Sequence, residues 1–238
     1  MFQIQIKGAV MVDENIKQVL IQLSSEDFIG EYIATEIIGK YPDIKEKFYQ
    51  NYFKLNDSEK INLYKLFSFL KHDEKLIEFS LRTMEENEND TVKASILILL
   101  GEIGDVNIIP RLSKFLKHKD RRVRANTVEA LSKIGDRKII DLLLPLLGEE
   151  KDNRVLANTA IALWKFEDIR ENVKHVFRNM IDDNEKWMRA SALYAFGETK
   201  IDDFMDFLFE AVGDEDEDIC RNAVIALIGY SELLSKKQ

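Results

Sequence analysis

Apolar and polar positions recur along the chain in one repeated arrangement. In the clearest copy, a helix is predicted from about Arg121 to Ile134, with Val123 and Leu131 on its apolar face. Gly135 follows, and glycine suits the left-handed conformation that commonly ends a helix. Alanines at intervals along this helix favour close approach of a neighbouring helix. The pattern therefore predicts an amphipathic helix packed against similar ones.

A second helix is predicted directly after the first, from about Lys138 to Leu147. It is apolar on nearly every side, which is typical of a helix packed between its own partner and the next repeat. Pro145 lies inside it, and proline lacks the backbone N–H and clashes with the carbonyl of Asp141. We therefore predict a kink or an early end at Pro145.

The same helix pair returns along the chain at a nearly constant period. Aligned on their first apolar residue, five copies are spaced by 31, 32, 33 and 31 residues. A period in this range is typical of solenoids, in which each repeat is one helix pair that packs on its neighbours. The aligned residues are Val92, Val123, Val155, Met188 and Ile219.

The repeat pattern also divides the chain. We predict an N-terminal tail and capping helix over residues 1–23, followed by a repeat array over 24–238, divergent over 24–88 and clear over 89–234. Residues 1–11 alternate apolar and polar positions, which suits either a short strand or a loosely docked tail. A repeat array behaves as one quasi-linear domain, so a single domain is expected.

Composition and charge narrow the class of protein. Of the 238 residues, 45% are hydrophobic and 32% charged, which provides enough apolar material for a continuous core. A net charge of -9 argues against nucleic-acid binding over the whole surface. A single cysteine excludes an internal disulfide, and the sequence lacks a secretion signal and a membrane-spanning apolar run, so a cytoplasmic location is expected.

Candidate catalytic and metal-binding residues are few. The three histidines, His72, His118 and His175, are neither paired with one another nor placed at metal-ligand spacing from cysteine. Cys220 has no nearby histidine in sequence and is interpreted as a packing residue inside a helix. We therefore expect no catalytic residue, no cofactor and no metal, and we do not expect an enzyme.

Charge is distributed unevenly. Residues 111–138 contain ten basic and three acidic residues, and residues 198–218 contain ten acidic residues and one lysine. One interpretation is a set of solvated turns that happen to cluster. The other is a surface of two opposite charges that orients a partner through complementary potential.

The repeat units resemble HEAT repeats, specifically the bacterial short type also called phycobilisome-lyase-like. The resemblance rests on residues 120–136 and 108–116 and extends over about residues 90–227. It implies an all-α, right-handed α-solenoid of about six to seven helix pairs whose second helices line a concave side. It also implies that Arg124 and Arg189 bind an aspartate in a neighbouring turn.

On this resemblance, the expected function is a non-enzymatic scaffold or adaptor that binds another protein along its concave surface. Second-helix residues, charged residues at the start of residues 121–134 and one tryptophan beside a turn are candidates for partner binding. They are Arg111, Lys114, Arg121, Arg122, Asp141, Arg178, Trp187, Asp202, Asp206 and Glu210.

Two other functions remain open at this point. HEAT-like DNA glycosylases use a basic concave groove, so residues 111–138 suggest a nucleic-acid-binding protein, although here the basic surplus is confined to one and a half repeats. The name of the repeat subfamily suggests a bilin lyase-like enzyme. Neither the partner nor the oligomeric state follows from the sequence.

Overall fold

The structure is a computed structural model that describes residues 12–24, 30–70, 72–86 and 88–235. Every regular element in these ranges is a helix, so the predicted all-α class is confirmed. The predicted strand or tail at residues 1–11 lies outside the described ranges. The chain forms two compact units, Met1–Asp105 (unit 1) and Val106–Gln238 (unit 2).

The helices of unit 1 are short in the divergent part of the array and longer towards its end. The 3-10 helix Tyr52–Lys54 follows the third of them. The α-helices are α1 Glu14–Ser24, α2 Glu31–Lys40, α3 Ile44–Asn51, α4 Asp57–Phe67, α5 Glu74–Glu85 and α6 Asp90–Ile103.

Aromatic side chains form the core of unit 1. The Phe48 ring is fully buried and meets the rings of Tyr52, Tyr64 and Phe67 edge-on at centroid distances of 5.2 to 5.3 Å. Edge-to-face contacts match the positive edge of one ring to the negative face of the next. Packing between aromatic rings therefore holds the divergent part of the array together.

In unit 2, continuous helices of 12 to 19 residues alternate with helices that, except for one of 12 residues, are shorter or broken. Its α-helices are α7 Ile109–Leu112, α8 Arg121–Ile134, α9 Ile139–Leu143, α10 Leu146–Glu149, α11 Asn153–Trp164, α12 Arg170–Ile181, α13 Lys186–Thr199, α14 Met205–Ala211 and α15 Glu217–Ser235. We call α8, α11, α13 and α15, which begin with the aligned apolar residues, the first-helix layer of unit 2. The helices between them, with the 3-10 turns Ser113–Lys117 and Asp202–Phe204, form the second-helix layer.

Local sequence explains where these helices begin and end. Asp120 and Asp152 hold the same extended N-cap conformation, and their carboxylates accept backbone N–H bonds from the first helical turn. Pro145 separates α9 from α10, so the predicted break is confirmed. Gly135 has φ of 75° and donates its N–H to the Leu131 carbonyl, which confirms the predicted helix end.

Gly135→Ala should lower the free energy of unfolding by about 1 kcal/mol, because a Cβ is disfavoured at positive φ. Gly148→Ala is the matched control. Gly148 lies in α10 at ordinary φ, and an added Cβ would meet nothing within 4 Å, so alanine should be neutral or slightly stabilising. Urea unfolding of both variants measures the difference, and equal effects would contradict the strain at Gly135.

The two layers of unit 2 are spaced differently. Each helix of the first-helix layer packs directly against the next one, whereas consecutive helices of the second-helix layer are farther apart. Small residues permit the close spacing: a Cβ added at Gly197 in α13 would lie 3.1 Å from the Ala226 Cα in α15. Because an array bends towards its more closely spaced layer, we infer that the first-helix layer is the concave side of unit 2.

Candidate functional site

Two adjoining grooves cross the first-helix layer of unit 2. Their volumes are about 390 and 340 Å³, and three residues from three consecutive helices line both of them. These shared residues are Glu129 in α8, Asn158 in α11 and Tyr194 in α13. We call the two together the inner groove. Trp164 and Glu198 line its first part, and Trp187 and Asn222 line its second part.

The inner groove follows from the register of the repeats. Residues three, six and ten positions after the aligned apolar residue share one helix face, because each residue rotates the helix by about 100°. The residues at the sixth position form a partly to fully exposed row across successive first helices, with a charged residue in α8 and isoleucine or tyrosine in the next three. This row consists of Glu129, Ile161, Tyr194 and Ile225, of which Tyr194 is 51% and Ile225 58% exposed.

Asparagines at the third position join neighbouring first helices. Asn158 Nδ2 donates to the Ala125 carbonyl oxygen at 3.4 Å, and Asn222 Nδ2 donates to the Ala190 carbonyl oxygen at 3.3 Å. Within the described residues, neither asparagine Oδ1 accepts a hydrogen bond from the chain. Each amide therefore holds two repeats together and keeps an acceptor at the groove.

Most of the charged groups of the inner groove are already bound within the chain. Lys133 Nζ lies 3.3 Å from Glu129 Oε1, and Lys165 Nζ donates to the Ser132 carbonyl oxygen at 2.9 Å. Burial lowers the pKa of Lys165. Glu198 differs, because its exposed carboxylate forms no ion pair with any described residue.

The Tyr194 phenol lies among three of these charges. Burial raises its pKa most, the carboxylates of Glu198 and Glu129 raise it further, and Arg154 lowers it. Arg154 lines the second part of the groove and donates from Nη2 to Asn126 Oδ1 at 3.3 Å. The half-exposed ring thus lies near two carboxylates and one guanidinium.

The family comparison agrees with the repeat pattern. Residues 77–164 match the family model of HEAT repeats. This stretch of the chain contains HEAT repeats. This confirms the predicted repeat family, whereas the bacterial short subtype and the right-handed twist stay predictions. No curated protein matches the chain.

The residues predicted to bind a partner fall mostly outside the inner groove. Seven lie in the second-helix layer, and Arg121 and Arg122 lie at the start of α8; only Trp187, in the first turn of α13, lines the groove. The resemblance placed the second helices of the HEAT repeats on the concave side, and the spacing of the layers in unit 2 places the first helices there. The seven are Arg111, Lys114, Asp141, Arg178, Asp202, Asp206 and Glu210.

Three of the ten basic residues in the stretch 111–138 form ion pairs with the following repeat. Arg121 Nη1 lies 3.5 Å from Asp152 Oδ2, and Arg137 pairs with Asp168. The Arg124 guanidinium binds both oxygens of Glu150. These three pairs lower the local surplus of positive charge seen in the sequence, which weakens the nucleic-acid alternative.

The two arginines that the resemblance implies to bind an aspartate make other contacts. Arg124 Nη1 donates to the carbonyl oxygens of His118 and Lys119 at 2.9 and 3.2 Å, and Arg189 Nη1 donates to those of Asp183 and Asn184 at 2.8 and 3.1 Å. Both arginines thus bind the turn that precedes their own helix. The implied aspartate partner is not found: Arg124 pairs with a glutamate, and Arg189 forms no ion pair with the described residues.

The histidines and the cysteine that were candidates for chemistry make structural contacts in the fold. His72 Nδ1 lies 3.0 Å from the Ile103 carbonyl oxygen, and His118 Nδ1 accepts the Asp120 backbone N–H at 3.1 Å. Cys220 Sγ donates to the Val212 carbonyl oxygen at 3.1 Å. Across the described ranges, no cluster of histidine, cysteine and acidic side chains could hold a metal ion, and no helix is long and apolar enough to span a membrane.

Proposed function

We propose that the chain is a non-enzymatic scaffold or adaptor and that unit 2 binds a segment of another protein in the inner groove. The observation that supports this most is the row formed by the partly buried Ile161 and the exposed Tyr194 and Ile225, which continues across three consecutive first helices. An exposed apolar row with polar neighbours is typical of a protein-binding surface. HEAT repeats generally mediate interactions between proteins, which agrees with this proposal.

The spacing of the row suits an extended peptide. Packed helices lie about 8–10 Å apart, and an extended chain advances about 3.3 Å per residue. Three residues of a peptide therefore cover one repeat, so a segment of six to eight residues would reach from α11 to α15. The unused Oδ1 acceptors of Asn158 and Asn222 are suited to bind its backbone N–H groups.

Tyr194→Ala should reduce binding of the partner at least tenfold, because an exposed aromatic ring at the centre of a groove is the kind of residue that dominates binding energy. The measurement compares proteins captured from a lysate by wild-type and variant chains, quantified by mass spectrometry. Tyr32→Ala is the matched control, since Tyr32 is an exposed tyrosine of α2 in unit 1.

A specific result would contradict the inner groove as the binding surface. If Tyr194→Ala retains the captured proteins while Asp206→Lys in α14 loses them, the partner binds the second-helix layer instead. That result would support the surface expected from the family resemblance. Loss with Tyr32→Ala alone would place binding in unit 1.

A further inference from the structure

We infer that the segment bound in the inner groove carries a lysine or arginine, whose charged group lies over the Tyr194 ring beside the Glu198 carboxylate. This inference rests on the proposed function and adds the chemistry of the partner. It starts from two exposed side chains of α13, Tyr194 and Glu198, which occupy positions six and ten of the repeat and are about one helical turn apart.

The aromatic rings around the groove show how the chain uses such faces. Arg170 lies over the Trp164 ring at 4.9 Å, and Lys186 lies over the Trp187 ring at 4.5 Å. Within the described residues, no lysine or arginine of the chain lies over Tyr194. A ring face attracts a cation through its quadrupole. The most central ring of the groove is thus the one that the chain's own cations leave open.

Charge supports a cation rather than an anion at this position. Glu198 has no ion pair with the described residues, whereas Glu129 is paired with Lys133, whose Nζ lies 3.3 Å from its Oε1. The cations that line the first part of the groove are bound already, Lys133 to Glu129 and Lys165 to Ser132. Lys165 has no carboxylate partner among the described residues, but its ammonium is bound by two Ser132 oxygens, whereas Glu198 has neither an ion pair nor a hydrogen bond there. The carboxylate of Glu198 is therefore the charge that an incoming group can pair with.

Arg154 restricts where the cation can lie. It lines the second part of the inner groove and would repel a second positive group. The incoming side chain is therefore placed in the first part, between Tyr194 and Glu198 and near Trp164. The rest of the segment then extends along the row towards α15, where the row ends at the exposed Ile225.

Selection from a displayed library of random twelve-residue peptides tests the inference without a known partner. Three chains serve as targets: wild type, Glu198→Gln and Glu210→Gln. The last is the matched control, because Glu210 is an exposed glutamate in α14 of the second-helix layer. We expect lysine or arginine at one fixed position in peptides enriched on wild type and on Glu210→Gln, and loss of that preference on Glu198→Gln.

An enriched peptide then allows a direct affinity measurement. The two tryptophans of the chain both line the inner groove, so their fluorescence reports binding there. Replacing the basic residue of the peptide by glutamine should weaken binding about five- to tenfold, and Glu198→Gln should weaken it similarly. Tyr194→Phe keeps the ring and should retain affinity, whereas Tyr194→Leu should lose it.

The possible failures are distinguishable. Enriched peptides that quench tryptophan fluorescence but contain no preferred basic residue would overturn the inference and leave the proposed function standing. Enriched peptides that prefer an acidic residue would also overturn the inference, whether or not Glu198→Gln changes that preference. If no peptide is enriched and Tyr194→Ala leaves protein capture unchanged, the proposed function itself is overturned.

Discussion

Phe196→Ala should lower the free energy of unfolding by about 4 kcal/mol, the largest loss expected for a single change in unit 2. The Phe196 ring is fully buried in α13. It stacks on the Phe204 ring at 4.5 Å and meets the Phe177 ring edge-on at 5.1 Å. Alanine removes these contacts and leaves a cavity between a first helix and the second helices on either side of it.

Phe209→Ala is the matched control for this change. Phe209 lies in the neighbouring helix α14, but its ring is 62% exposed. Its replacement should change the free energy of unfolding by less than about 0.5 kcal/mol. Urea unfolding followed by circular dichroism at 222 nm compares the two, and a loss below about 1 kcal/mol for Phe196→Ala would contradict the packing described for this core.

Much of the fold could be predicted because its determinants are local. The helix predicted from about Arg121 to Ile134 has these bounds in the structure, since the N-cap Asp120 and the left-handed Gly135 fix its two ends. The break at Pro145 follows from covalent geometry alone. Such features depend on residues within one or two turns, and the sequence pattern contains them directly.

The position of the inner groove could not be predicted in the same way. Which layer of helices is more closely spaced depends on side-chain size at contacts between residues one repeat apart. Gly197 and Ala226, where α13 and α15 approach closely, are 29 residues apart in the sequence. The alanines of the first helices do indicate that this layer is closely spaced, because small side chains permit close approach. The expectation from the family resemblance instead directed attention to the second helices.

The net charge around the basic stretch 111–138 also depends on contacts between residues one repeat apart. Counting charges over residues 111–138 omits the carboxylates of Glu150, Asp152 and Asp168, which lie in the next repeat. Arg121 and Asp152 are 31 residues apart, as are Arg137 and Asp168. Comparing charges at a spacing of one repeat would have found these pairs. A count of charged residues over one stretch of sequence leaves out the partners that folding brings close from the next repeat.

Arg124→Met should lower the free energy of unfolding by about 3 kcal/mol at pH 7, because it leaves the Glu150 carboxylate buried without its cation. The Glu150 side chain is 8% exposed. Its oxygens accept bonds from Arg124 Nε at 2.8 Å and from the backbone N–H groups of Lys151 and Asp152 at 2.9 and 2.8 Å. Methionine keeps the apolar stem of the side chain and removes the charge.

The loss should depend on pH in a definite direction. Burial by itself raises the pKa of Glu150, but the bonds from Arg124 and from the two backbone groups hold it below its ordinary value. A carboxyl group with a lowered pKa in the folded state stabilises the fold above its unfolded-state pKa and loses this contribution as pH falls through the folded-state pKa. Without Arg124 the pKa rises, so the difference between wild type and variant should shrink as pH falls from 7 towards 3.5.

Arg189→Met is the matched control for both effects. Arg189 makes the same two bonds to carbonyl oxygens of the preceding turn as Arg124 does, and it has no carboxylate partner among the described residues. Its replacement should cost about 1 kcal/mol and show little change between pH 7 and pH 3.5. The excess loss in Arg124→Met therefore isolates the buried pair with Glu150. If the two variants lose equal stability at both pH values, Glu150 is not held by Arg124 in solution.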